Sequence, residues 1–226
     1  MINMENKIDK VLDFIVNELV KNKLNFSTQS EDGRVNSTQN EKEIIQFLLE
    51  NKNIKIMLDQ YQLKMIAGKS RQWFDISIEG ENEFYPINIK ATNLKVNQND
   101  NLNCKLGIYY ALTGEKPDFA NEIKWKDFFN LLVDRIKENG QDYYFLIVSK
   151  NNPNDVFWTS LKQINTLVPN GNNLPFQSCW FENKIKIKRN FEDAKKFLIN
   201  NLEASVKKRA EILDHLTRAL KKINLK

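Results

Sequence analysis

Apolar residues recur at helical spacing near the N-terminus. Ile8, Val11, Leu12, Ile15 and Leu19 fall on one stripe within residues 4–22, which predicts an amphipathic helix. A polar stretch from Ser27 to Gln39 follows, with Asp32-Gly33 read as a turn. Asn40 then takes the place of a helix N-cap, with Glu43 three residues on as its capping-box partner. The helix it opens turns Ile44, Ile45, Leu48 and Leu49 inward, and Glu41 shares that face one turn earlier.

The period changes to two at residue 73. WFDISIE (73–79), a turn at Gly80-Glu81-Asn82-Glu83, and FYPINIKA read as a β-hairpin. Alternation puts Phe74, Ile76, Ile78, Ile87 and Ile89 on one face, and Asp75, Ser77, Asn88 and Lys90 on the other. A polar loop, TNLKVNQNDN, leads into a helix through CKLGIYYALTG. A further helix over 122–139 lines up Trp125, Phe128, Phe129, Leu132 and Ile136. YYFLIVS (143–149) is a continuous apolar run, hence a buried strand, and VFWTS is a shorter one. Asn170-Gly171 marks a turn, KIKIK (184–188) a last strand, and Glu192 to Leu225 one long basic helix. No repeat or linker interrupts the pattern. The expectation is one α/β domain over residues 1–226.

Composition narrows the function. At 226 residues and 41% hydrophobic, the chain can build a real core. It has no apolar stretch of membrane-spanning length and no signal-peptide apolar region at MINMENKIDK, so a soluble cytoplasmic protein with no membrane partner is expected. Cys104 and Cys179 form no CxxC pair, which argues against a cysteine zinc site. His215 is the single histidine, so histidine-metal clusters are excluded within one chain, and any Ser/Cys-His triad has one candidate. Gly68-Lys69-Ser70 is no phosphate loop, because Leu63 stands where the first glycine should be. A net charge of +5 suits a polyanionic partner, and equally an ordinary Lys-rich surface. An enzyme built from this inventory works with carboxylates, lysine and a hard metal ion.

The hairpin offers that set. Asp75 is on its first strand, with Asn88 and Lys90 two apart on the second, giving D-x12-N-x-K on one face. Phosphodiester hydrolysis needs an activated water and neutralisation of oxygen charge. Mg²⁺ supplies both while taking only one or two protein side chains, and a neighbouring lysine orients water or phosphate. The bland alternative is an amphipathic hairpin with a solvated polar face.

The segment resembles the PD-(D/E)XK nuclease signature, in the variant of type II restriction endonucleases where asparagine replaces the second acidic residue. INIKATN followed by KLGIYYALTG is similar to the EcoRV/HincII-like branch, in which the catalytic strand leads into a DNA-contacting loop and then a helix. NEKEIIQFLLEN resembles the upstream helix of that branch and places Glu41 at its glutamate position. SVKKRAEILDHLTRALKK is similar to its C-terminal helix. The resemblance implies a PD-(D/E)XK core with a central mixed β-sheet flanked by helices, and Asp75, Asn88, Lys90 and Glu41 as catalytic residues, with Mg²⁺ held by Asp75 and Asn88. It further implies a homodimer in the bacterial cytoplasm that cuts double-stranded DNA at a short palindrome to leave blunt ends. A cognate DNA methyltransferase would be its functional partner. Asn88 departs from the usual acid and brings no charge, so Glu41 or Glu79 is a candidate to compensate. Glu79 reads equally as a solvated strand end, and Glu41 as a helix-start charge.

By the same resemblance the loop from Asn93 to Asn103 reads DNA. Asn97, Gln98, Asn99, Asn101 and Asn103 match adenine edges, Lys95 and Lys105 match phosphates, and Asn93 opens the segment as a further DNA contact. A favoured A·T-rich site follows, although an AT-rich genome would produce the same composition. Arg34 and Asn36 form a second candidate contact; Lys69, Ser70 and Arg71 are a third, against the backbone. Lys207, Lys208, Arg209, Arg218, Lys221 and Lys222 line a DNA cleft or form a solvated basic face. The N-terminal stripe is the expected dimer interface or an intramolecular packing face. The rival functions are a non-catalytic sequence-specific DNA-binding protein, and a repair or resolvase nuclease of the same fold.

Overall fold

The computed structural model describes residues 6–24, 26 and 33–222, the side chains of 33–36 excepted. Three helices come first: α1 (Lys7–Asn22), α2 (Gly33–Glu50) and α3 (Lys52–Gln60). Strands β1 (Lys64–Ala67), β2 (Ile76–Glu79), β3 (Phe84–Thr92) and β4 (Asp100–Leu102) follow, then α4 (Lys105–Thr113) and α5 (Trp125–Arg135). The chain continues through β5 (Tyr144–Ser149), β6 (Val156–Ser160), β7 (Val168–Pro169), β8 (Phe176–Ser178) and α6 (Phe191–Lys222).

The main sheet runs β1-β2-β3-β5-β6. Its neighbours are antiparallel except β3 and β5, which are parallel with Lys90 beside Ile147 and Thr92 beside Ser149. A parallel pair needs a long crossover, and here residues 93–143 supply it, carrying β4, α4 and α5. The architecture is therefore α/β, a mixed central sheet with helices on both faces. Among the described residues no helix is long and apolar enough to cross a membrane.

Both sheet faces are buried, which explains the unbroken apolar run of β5. Tyr144, Leu146 and Val148 join Ile76, Ile78, Ile87 and Ile89 under α1, α2 and α3. Phe145 and Ile147 join the opposite layer with α4, α5, and Leu198 and Leu202 of α6. Full burial of each of the four isoleucines contributes about 1.5–3 kcal/mol. The stripe Ile8, Val11, Leu12, Ile15 and Leu19 is wholly inside this packing, so it is an intramolecular face and not a dimer interface.

Several expectations are corrected. The helix expected from Asn40 starts at Gly33, so Asn40 is mid-helix and 3% exposed, and Glu43 accepts from Gln39 at 3.2 Å rather than capping. Packing of Ile44 and Leu48 on the sheet overrides the weak helix preference of the Ser-Thr-Gln-Asn run. The expected turn falls at Asp32, outside the described residues, and Gly33 is already helical. The 122–139 helix is shorter, Trp125–Arg135. KIKIK forms no strand: Ile185 is 70% exposed and Glu182–Lys184 make a short 3-10 turn. A second small sheet, β4-β8-β7, takes its place and claims residues 100–102 of the supposed loop.

Candidate active site

The β2–β3 hairpin sets the floor of the site. Ile76 pairs with Ile87, and one step beyond that register Asp75 faces Asn88. Facing side chains on an antiparallel pair start about 5 Å apart, close enough to share a cation. Asp75 lies in a bend just before β2, not within the strand as alternation predicts. The bend also turns Phe74 to the α4 side, where it packs on Trp73 and Phe84, away from the isoleucine face assigned to it. Two backbone contacts hold the bend: the Asp75 N–H donates to Ile87 O at 3.0 Å, and the Gly68 N–H donates to Asp75 O at 2.7 Å. A Cβ at Gly68 would run into the Phe74 carbonyl, so only glycine closes this loop.

The polar face of the hairpin is half-buried: Ser77 is fully inside, and Asp75, Asn88 and Lys90 are partly exposed. Asp75 Oδ2 accepts the N–H of Ile89 at 2.7 Å, reaching across to the strand that carries Lys90. Asn88 Oδ1 is buried with no hydrogen-bond partner. An orphaned buried acceptor is costly and rare in a folded chain. Beneath it, Tyr143 donates from its hydroxyl to Trp73 O at 2.7 Å, and α4 presses so close that a Cβ at Gly107 would meet the Tyr143 ring at 2.6 Å. Ser77 donates to Glu79 at 2.7 Å near the far end of the hairpin, where Glu79 pairs with Phe84, so Glu79 is remote from Asp75.

Lys90 and Glu41 meet at 3.8 Å, joining β3 to α2. Both line a cleft of about 580 Å³ with Ser37, Thr38, Thr92, Asn93, Asp100 and Lys150. The cleft opens at the carboxyl ends of β3 and β5, the end at which ligands of open α/β sheets bind. Asp75 and Asn88 are not in its lining. Asp100 and Lys150 escaped sequence reasoning. Their only signal would have been the parallel β3–β5 register and strand β4, neither of which periodicity reveals.

Burial raises the Asp75 carboxyl above the usual range, opposed by the Ile89 N–H and Lys90. Burial also raises Glu41; Lys90 and the Ala91 N–H pull it down, while Asp75 and Asp100 push it further up. The Cys104 thiol, fully buried, is pushed up to about 12, which makes it a poor nucleophile. His215 stands on the exposed half of α6 beside Arg218, and it is not among the residues lining the cleft.

Among the described residues no group of three or more His, Cys, Asp or Glu side chains could hold a metal ion. The set fits a hard cation that takes few protein ligands and keeps its waters: one carboxylate, Asp75, opposite one amide oxygen, Asn88 Oδ1, that has nothing else to bond.

The remaining candidates divide. Lys69, Ser70 and Arg71 are exposed on the loop clamped to Asp75. Asn93, Gln98, Asn99 and Asn101 line the cleft, and Lys95, Asn97 and Asn103 are exposed nearby in the chain. Asn101 is already engaged, accepting from Asn170 at 3.1 Å and Gln177 at 3.0 Å. Lys105 is not available to a phosphate: it is 7% exposed, donates to Ile123 O at 2.7 Å and lies 5.0 Å from the Trp125 ring. Arg34 and Asn36 lie in α2, with side chains outside the described set. Lys208 and Arg209 are tied to Pro169, Gly171 and Asn172, while Lys207, Arg218, Lys221 and Lys222 are exposed.

No protein-family model matches the chain, and no curated protein does.

Proposed function

We propose that this chain is a type II restriction endonuclease with a PD-(D/E)XK core: a Mg²⁺-dependent enzyme hydrolysing phosphodiester bonds of double-stranded DNA. One observation carries the reading. Asp75, the orphaned Asn88 oxygen, Lys90 and Glu41 come from three segments to one end of the sheet, where Lys90 and Glu41 line a polar cleft. A half-buried carboxylate facing an unpaired amide oxygen is an arrangement that a hard cation would satisfy.

Asp75 and Asn88 would hold Mg²⁺, whose contribution is to neutralise oxygen charge and acidify a water. The Ile89 N–H fixes the Asp75 carboxylate in place. Lys90, held toward the cleft by Glu41, presents its ammonium to a phosphate oxygen. Glu41 keeps Lys90 oriented and, once deprotonated, balances its charge. The exposed amides of the 93–103 segment would read A·T pairs in a groove. A two-fold homodimer would give each strand of a palindrome one such site, with a methyltransferase protecting the host's own DNA.

The test is incubation of the purified protein with plasmid and phage DNA, with and without Mg²⁺. Discrete Mg²⁺-dependent fragments support the proposal. A smear points to a non-specific nuclease of the same fold, and binding without cutting to a DNA-binding protein.

A further inference from the structure

Lys150 follows directly after β5, and its position comes from the sheet. Its N–H donates to Thr92 O at 2.8 Å, extending the parallel β3–β5 ladder by one bond. Lys90 sits beside Ile147, so Lys150 is three residues further along the neighbouring strand, about 10 Å beyond Lys90 on the same cleft. The Lys150 ammonium donates to Ser37 Oγ of α2 at 3.1 Å. Both residues line the 580 Å³ cleft, as do Lys90 and Glu41.

The two lysines differ in partner. Lys90 faces a carboxylate, Glu41, at 3.8 Å. Lys150 faces a hydroxyl, and among the described residues it makes no ion pair. A hydroxyl carries no charge, so Lys150 keeps its positive charge in a polar concavity. We infer that Lys150, positioned by Ser37, forms a second phosphate subsite, which holds a backbone phosphate flanking the one presented to Lys90. The inference rests on the nuclease reading and names a binding residue for it. Lys150 touches substrate at a non-reacting phosphate, so it governs how DNA is held and not the chemical step.

The experiment uses the full chain and a short duplex carrying the cleavage site mapped on wild-type enzyme. Binding is titrated by fluorescence anisotropy in EDTA across a series of salt concentrations, and cleavage is timed with Mg²⁺. Each phosphate contact contributes about 0.9 to the slope of log K against log salt. Lys150→Met is expected to lower that slope by about one contact and to raise KM several-fold with kcat close to wild type; Lys150→Arg restores both. Ser37→Ala keeps the ammonium and so keeps most of the slope. Lys150→Gln, which can still bond Ser37, checks the result if the Met variant folds poorly. A Lys150→Met or Lys150→Gln enzyme with wild-type slope and KM overturns the subsite while leaving the nuclease reading intact. A wild-type protein that neither binds nor cuts duplex DNA overturns both.

Discussion

Asp75 takes the backbone N–H of Ile89 with a side-chain oxygen at 2.7 Å, so one carboxylate both closes the hairpin and stands against the Asn88–Lys90 pair. Two roles in one group make its loss separable into two measurements. Asp75→Ala should destabilise the fold by about 1–3 kcal/mol through the unpaired N–H. It should also cut cleavage by at least about a hundredfold. Lys90→Ala should match the second loss without the first. Denaturant titration beside a plasmid cleavage assay reads both, and near wild-type cleavage by either folded variant removes the site.

Asn88 invites the opposite pattern. Its Oδ1 is buried without a partner while the rest of its amide bonds the Tyr143 hydroxyl, so Asn88→Ala should change stability by no more than about 1 kcal/mol while activity falls sharply. Asn88→Asp should be less stable than wild type without metal, because it sets a second carboxylate opposite Asp75. Mg²⁺ should then raise its melting temperature more than it raises that of wild type. Equal Mg²⁺ shifts in the two proteins would remove Asn88 from the cation site.

The raised carboxyls of Asp75 and Glu41 set a pH dependence with a definite sign. A native carboxyl that titrates above its unfolded value binds the extra proton in the folded state, so metal-free stability falls as pH climbs from the ordinary carboxylate range to the raised value. Burial puts Asp142 in the same position, pushed up to about 6, so its share of the loss lies below that pH. Asp75→Asn and Glu41→Gln should each flatten the decline. Mg²⁺ needs the ionised form, so its affinity should rise across the same window. Metal-free melting curves between pH 4 and 7 would contradict this if they steepen in the opposite direction.

Lys95 and Lys105 look alike in sequence and should behave differently. Lys95 is exposed, and Lys95→Ala should reduce the salt slope of DNA binding by about one. Lys105 is locked to Ile123 O and the Trp125 ring, so Lys105→Met should cost about 1–3 kcal/mol of stability and leave the slope alone. A slope change for Lys105→Met at unchanged stability would reverse the assignment.

What could be read from the chain alone followed from local period. The hairpin, the buried run of β5 and the α1 stripe each declare themselves over a few residues, and so did Asp75, Asn88 and Lys90, which share one hairpin. The misreadings came where tertiary contact decides. Asn40 looks like a cap because its type favours caps, yet the sheet beneath α2 holds it mid-helix. Ile185 and Ile187 alternate with lysines like a strand, but Ile185 is 70% exposed and, among the described residues, no strand pairs with the segment. Lys150 belongs to the cleft through the pairing of β3 with β5 and Asp100 through that of β4 with β8, pairings distant in the chain that no local pattern encodes.

The parallel placement of β3 against β5 also has a consequence for how the chain is made. The hairpin of β2 and β3 can close as soon as residue 92 has left the ribosome. The other edge of β3 must wait until residues 144–149 are synthesised. For that interval a strand carrying Ile87 and Ile89 presents unpaired backbone on its free side, the kind of edge that recruits other chains. Aggregation during expression should therefore respond most to changes that delay or weaken the 93–143 crossover, even where the finished protein is equally stable.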